Sequence, residues 1–162
     1  MTDELILEPL TASAFAPYGD VLDASGEPDK LINAGFCARF HNRARVEFID
    51  GAAGISIFEA QCRALPYALT LLERHPEGSQ AFIPMSQDPF AVIVAQDDHG
   101  KPAHPRAFIT APGQGVNYLR GVWHGVLLPL SGTGLFAVVD RIGDGANLEE
   151  YILPAPLMVR AP

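Results

Sequence analysis

Lysine is nearly absent from this chain of 162 residues: Lys30 and Lys101 are the only two, and the other nine of its 11 basic residues are arginine. Against these stand 19 Asp and Glu, for a formal net charge of -8. Phosphate backbones and anionic membranes need a concentrated basic surface, so nucleic acid and membrane are excluded as expected partners. Cysteine is scarce too. Cys37 and Cys62 lie far apart in no CxxC or Cys/His spacing, which excludes a zinc knuckle and a redox pair and leaves two inert, buried thiols as the expectation. No apolar run approaches the roughly 18 residues of a membrane span. The stretch "MTDELILEPL" opens with two acids in place of the basic start of a signal peptide. These absences predict a cytoplasmic protein whose partners are small molecules.

What is present is 48% hydrophobic residues with 15 Gly and 14 Pro. They are arranged as short apolar runs separated by turn residues. "GISIFEAQ" (54–61) alternates as a strand does, "YALTLLE" (67–73) follows a proline, and "FAVIVAQ" (90–96) is apolar on both faces. "RAFIT", "GVNYL" and "GLFAVVDR" continue the series, while "QDDHGKPAHP" and "APGQG" read as turns. The spacing predicts one mostly β domain over 1–162, a sandwich or small barrel, with short helices at its ends. One helix would start near Ser13 in "TASAFAPYGDVL"; the other would be "NLEEYIL", capped by Asn147.

The polar residues of interest sit in "LLERHPEGSQAFIPM" (71–85). In a strand, Glu73 and His75 point to one face and Arg74 to the other; after a turn at Pro76 and Gly78, Gln80 can return to the first face. In "YLRGVWHGVLLP", Tyr118, Arg120, Val122 and His124 share parity if the segment is extended. Glu73, His75, Gln80 and His124 are all capable ligands of a divalent ion such as Zn, Ni, Mn or Fe. The same residues also suit an exposed hairpin end. The arginine bias fits a carboxylate ligand, which a guanidinium grips with two parallel hydrogen bonds, and it fits burial and ion pairing equally.

The spacing Glu73-x-His75-x4-Gln80, with a Gly-x-x-His ending at His124, resembles the two motifs of the cupin superfamily, although Glu73 stands where the first His would be and Gln80 where the Glu would be. "LERHPEGSQAFIPM", "GQGVNYLRGVWH" and "VVDRIG" are more specific and resemble the ureidoglycolate lyase family, also known as ureidoglycolate hydrolase. The likeness runs from "AFAPYGDVL" to the "VVDR" strand. The family's "WH" is often followed by a second His, where this chain has Gly125.

That resemblance implies a cupin-type double-stranded β-helix, jelly-roll-like, in a homodimer. It implies cleavage of ureidoglycolate to glyoxylate and urea in allantoin and purine nitrogen breakdown, with Ni, Zn or Mn as the candidate metal. Glu73, His75 and His124 become the expected catalytic groups, and with Gln80 the expected metal ligands. The reaction needs one base and one acid. If Glu73 and the two His hold a metal, the proton carrier is expected to be His41, from "CARFHNRARVEF". Arg120 is the expected carboxylate clamp, with Tyr118 and Gln80 as further substrate contacts. Arg74 should face away, Arg141 should pair with Asp140 or Asp144, and His99 and His104 should be surface residues. Two other readings stand beside this one: an amidohydrolase that releases ammonia, and a non-catalytic cupin that binds a small organic acid.

Overall fold

The computed structural model describes residues 4–162. In chain order its elements are β1 (Glu4–Ile6), β2 (Glu8–Pro9), the one-turn helix α1 (Ala12–Phe15), β3 (Gly19–Leu22), β4 (Lys30–Ile32) and β5 (Cys37–Arg39). Then follow β6 (Ala52–Glu59), β7 (Tyr67–Arg74), β8 (Gln80–Pro84), β9 (Phe90–Asp98) and β10 (Lys101–Ile109). The last are β11 (Gly115–Tyr118), β12 (Trp123–His124), β13 (Leu128–Pro129), β14 (Leu135–Ile142) and β15 (Glu149–Arg160).

One sheet runs β1-β15-β7-β12-β9-β10-β2. Since β1 pairs with β15 and the next strand, β2, with β10, residues 4–9 bridge its two margins and nearly close it into a barrel. Hydrogen bonds from Leu7 N to Arg160 O (2.9 Å) and from Leu10 N to Ile109 O (3.0 Å) tie both ends of the bridge. A second sheet, β3-β11-β8-β14-β6, packs over one face of the first.

The apolar run on β9 explains why there are two cores. Phe90, Val92 and Val94 enter the layer between the sheets, with Phe15, Phe82, Phe108, Val116 and Phe136. Ala91, Ile93 and Ala95 point the other way and join Leu7, Leu69, Leu72, Trp123 and Val159 inside the curl of the large sheet. A strand buried on both faces has no polar face to show, and all six of these residues are buried.

The strands foreseen at 54–61, 67–73, 90–96 and in the later runs are all present. Three local expectations need correction. "NLEEYIL" is not a helix: β15 pairs antiparallel with β7, Tyr151, Leu153 and Leu157 pack on the curled-sheet core, and Pro154 and Pro156 forbid a helix beyond it. The N-terminal helix is capped by Thr11, which accepts from Ala14 N at 3.2 Å, so it starts before Ser13. In "QDDHGKPAHP" the strands continue through most of the segment, and only His99 and Gly100 turn, with φ of 51° and 83° as a tight hairpin requires. His99 and His104 are exposed as expected. Cys37 is half-buried and Cys62 exposed, so the thiols are free but not core residues. No helix among the described residues is long and apolar enough to cross a membrane.

Arg74 does face away from the layer between the sheets. It donates to Asp97 (2.7 Å) and pairs with Glu149, and its guanidinium lies 4.4 Å from the centroid of the Trp123 ring. Trp123 Nε1 donates to the same Asp97 oxygen at 2.9 Å. The bond from Trp123 is the largest influence holding the Asp97 carboxyl below its ordinary value. A depressed carboxyl favours folding at pH above its unfolded value near 3.8, and that contribution is lost as pH falls through the folded value. Emission of the single tryptophan should therefore change reversibly below pH 4 before global unfolding, and Asp97→Asn should remove that step. An identical acid step in the variant would assign it to another group.

Candidate active site

The site begins with a two-residue strand. In β12, Trp123 and His124 point to opposite faces, as neighbours in a strand must. Trp123 goes into the curled-sheet core, so His124 is forced into the layer between the sheets, where it is 2% exposed. His124 lies directly across from Glu73 of β7, and Leu72 beside Glu73 is a curled-sheet core residue, so the carboxylate shares the face of the imidazole. His75 follows β7 and returns to that face. Donor atoms of Glu73, His75 and His124 lie within 4.8 Å of one another.

The rings are packed as well as near. Tyr118 stacks on His124 with centroids 4.3 Å apart and planes at 4°, and the His75 ring lies 5.1 Å from that of His124. Each imidazole is held by a backbone carbonyl. His75 Nδ1 is 2.7 Å from Asn147 O, and His124 Nδ1 is 3.1 Å from Gly125 O. A carbonyl only accepts, so hydrogen-bond logic assigns a proton to Nδ1 in both rings and leaves Nε2 as the nitrogen available to a ligand. Both Nε2 atoms are buried and have no hydrogen-bond partner among the described residues.

Burial sets the charge states. Removal from water, aided by the neighbouring His75, pushes His124 down to about 3, so it is neutral at neutral pH. The same loss of solvent raises Glu73 above its usual range; His75 opposes this, and Glu150, its cross-strand partner on β15, adds to it. Burial and the Glu73 charge raise the Tyr118 phenol, which stays protonated.

The other expected residues fall in different places. Gln80 is buried and is the cross-strand partner of Tyr118; its Nε2 donates to Asp140 Oδ2 at 3.1 Å, and its Oε1 has no partner. Arg120 does not share a strand face with His124, because residues 119–122 form a turn in which Gly121 has φ of 78°. It sits exposed on the rim, donating to Pro76 O at 3.1 Å and lying 3.7 Å from Glu47. His41 stands apart from the cluster: it is exposed beyond the end of β5, with Nδ1 2.7 Å from Arg39 Nη2 and its amide bonded to Asp29. Arg141 pairs with Asp50 and reaches the Asp144 carbonyl, leaving Asp140 to Gln80. Asn147 and Asp140 escaped notice as supports of the site, since both act across more than 50 residues of sequence, where local spacing carries no signal.

A surface hollow of about 630 Å³, lined by residues 60–64, Tyr67 and Leu127, lies at the opposite end of β7. It contains no buried polar atom without a partner, so convergent donors, not volume, mark the site. The donor set fits a divalent metal ion. Two imidazoles, each with Nε2 unengaged, and a carboxylate make a three-ligand set, and the carbonyls on Nδ1 provide the outer hydrogen bonds that orient ligating histidines.

A nearly closed, barrel-shaped sheet with two imidazoles and a carboxylate turned into the layer between it and a second sheet is a small-molecule enzyme of the cupin type. Comparison with known proteins narrows this: the model of the ureidoglycolate lyase family matches residues 2–160, and the chain belongs to that family. It is 61% identical to a ureidoglycolate lyase of Rhodobacter capsulatus over 97% of this chain and 98% of that one. It is 49% identical to one from a Chelativorans species, with 98% of both chains covered. A third, from Mesorhizobium japonicum, is 52% identical over 88% of this chain and 89% of its own.

If the three side chains bind a metal, titrating chelator-treated protein with Ni or Zn should show one site, weakened by about 100-fold or more in His75→Ala or His124→Ala. Unchanged affinity in either variant would remove that imidazole from the ligand set.

Proposed function

We propose that this chain is a carbon–nitrogen lyase that cleaves ureidoglycolate to glyoxylate and urea in the breakdown of allantoin. The observation that carries the reading is the convergence of Glu73, His75 and His124, with unpaired Nε2 atoms, in a chain so similar to named ureidoglycolate lyases. Two unbridged cysteines support a reducing, cytoplasmic setting.

Ureidoglycolate carries a hydroxyl and a ureido nitrogen on one carbon. Cleavage removes the hydroxyl proton, forms the carbonyl, breaks the C–N bond and protonates the departing nitrogen, with no water consumed. Glu73 suits the proton transfer. Its burial raises its basicity, so it takes the hydroxyl proton and holds it long enough to return it to the nitrogen. His124, neutral through burial, offers a lone pair and no charge, and the protonated Tyr118 above it offers a donor. A divalent ion held by Glu73, His75 and His124 would supply Lewis-acid charge that lowers the pKa of the hydroxyl. A carboxylate that held such an ion would be a weaker base, so in a metal-loaded site Glu73 would act as a ligand and the proton would pass to another group. His41, exposed and outside the cluster, has no place in this scheme. Arg120 at the rim is the nearest arginine in sequence to His124 and is held only by a carbonyl and a loose pairing with Glu47, which leaves it free to turn to a carboxylate.

The second sheet supports a homodimer as part of the proposal. Its outer face exposes Ile55, Ile57 and Ile83, and β6 is an edge strand paired only with β14. Apolar edges of this kind are covered in most proteins, and a second copy offers the matching surface.

Purified protein given racemic ureidoglycolate should yield equal glyoxylate and urea. Ammonia in their place would favour the amidohydrolase, and binding with no product would favour the non-catalytic cupin. Glu73→Gln should lower kcat by about 100- to 10,000-fold with little change in KM. Arg120→Lys should raise KM about 10-fold by replacing a two-toothed grip with a point charge, and an unaltered KM would reassign the clamp. Ile57→Glu should convert a dimer in light scattering to a monomer; a wild-type monomer would refute the assembly.

A further inference from the structure

Gln80 and Asp140 form a pair that the proton chemistry leaves unused. Gln80 opens β8, is 6% exposed and faces Tyr118 directly across the ladder. Its Nε2 donates to Asp140 Oδ2 at 3.1 Å, while its Oε1 is buried with no hydrogen-bond partner. A glutamine amide alone is ambiguous, because its two ends have nearly the same shape and either can face a neighbour. Asp140 removes the ambiguity. A carboxylate accepts and cannot donate, so only the NH2 end of Gln80 can face it. The neighbouring Arg141 does not compete, being occupied by Asp50 and the Asp144 carbonyl. The Gln80 carbonyl is thus a fixed acceptor beside Tyr118, whose ring covers His124 of the cluster.

We infer that Asp140 is a positioning residue that locks Gln80 as an acceptor, and that this acceptor selects the ureido end of the substrate by its N–H groups. The inference rests on the substrate proposed above. Of the groups on ureidoglycolate, the carboxylate and the ureido carbonyl only accept. The hydroxyl proton goes to Glu73, so the N–H groups are the donors that remain for Gln80. A buried acceptor that cannot turn discriminates sharply, because a ligand without a donor leaves it unpaired in a site closed to water. A freely rotating amide would lose that discrimination by presenting its NH2 end instead.

Two unreactive ligands isolate the effect. N-Carbamoylglycine is the substrate without its hydroxyl, and 4-oxopentanoate, an acetyl compound, is the same skeleton with a methylene and a methyl in place of its NH and NH2, so it has no donor. By calorimetry, the wild type should bind the carbamoyl compound about 10-fold or more tightly than the acetyl compound. Asp140→Asn can donate to the Gln80 carbonyl and let the amide turn over, and it should bring the ratio to within about 3-fold. Gln80→Met, close in size and without a polar amide, should do the same, and the double variant should add nothing further. Equal weakening of both ligands in Asp140→Asn, with the ratio kept, would make Asp140 merely structural and overturn the inference. So would a wild-type ratio near one, or loss of bound Ni in Gln80→Met with the ratio unchanged, which would make Oε1 a metal ligand. Binding is read separately from turnover, so the two readings fail separately. A retained ratio without glyoxylate would sink the lyase and uphold the selection; turnover without a ratio would sink the selection alone.

Discussion

The site depends on one constraint, the burial of both faces of the strip β7-β12-β9. Leu72, Trp123 and Ala95 fill one core while Glu73, His124 and Val94 face the other. Strand periodicity is two, so a slip of one residue would send Trp123 into the polar site and His124 into the apolar curl. Several contacts oppose that slip. Gly125 N bonds Ile93 O at 2.8 Å, Gly121 N bonds His75 O at 2.9 Å, and Arg74 lies over Trp123 while bound to Asp97 and Glu149. Gly125 is part of the same packing. A Cβ there would stand 3.2 Å from Ile93 Cβ and 3.4 Å from Leu69 Cδ1. A second imidazole after "WH" would therefore press toward the curled-sheet core and away from Glu73.

Burial gives the site its chemistry by the same act that positions it. Withdrawal from water suppresses charge on His124 and raises Glu73, two shifts of opposite direction from one cause. A carboxylate that binds its proton more readily thus stands beside an imidazole that refuses one. The structure needs no further charged residue to separate the two roles.

Much of the strand order was legible because alternation and two-sided apolar runs are local properties, and β6, β7, β9, β11 and β14 follow them. Glu73 and His75 were legible for the same reason: two residues apart at a strand end, they share a face. The failures share a cause. "NLEEYIL" has local helical character, but its partner is β7, more than 70 residues away, and tertiary pairing overrides local preference. Strand parity does not carry from His124 to Arg120, because Gly121 turns the segment back on itself. Near neighbours in sequence do not set the environments of His41 and Arg141, which include Asp29 and Asp50 brought in from elsewhere in the chain.

The unpaired acceptors connect stability to function. His75 Nε2, His124 Nε2 and Gln80 Oε1 are each buried without a partner, and a polar atom left so costs about 1–3 kcal/mol. An apolar core of the same shape would avoid that cost, and three of the five such atoms among the described residues lie where the donors and acceptors of the site converge. The carbonyls of Asn147 and Gly125 and the carboxylate of Asp140 hold these groups by their other ends, so they cannot relieve the deficit by rotating toward one another. A ligand that satisfies them recovers the energy without having to reorganise them, and rigid, unsatisfied groups of this kind are what preorganised binding requires.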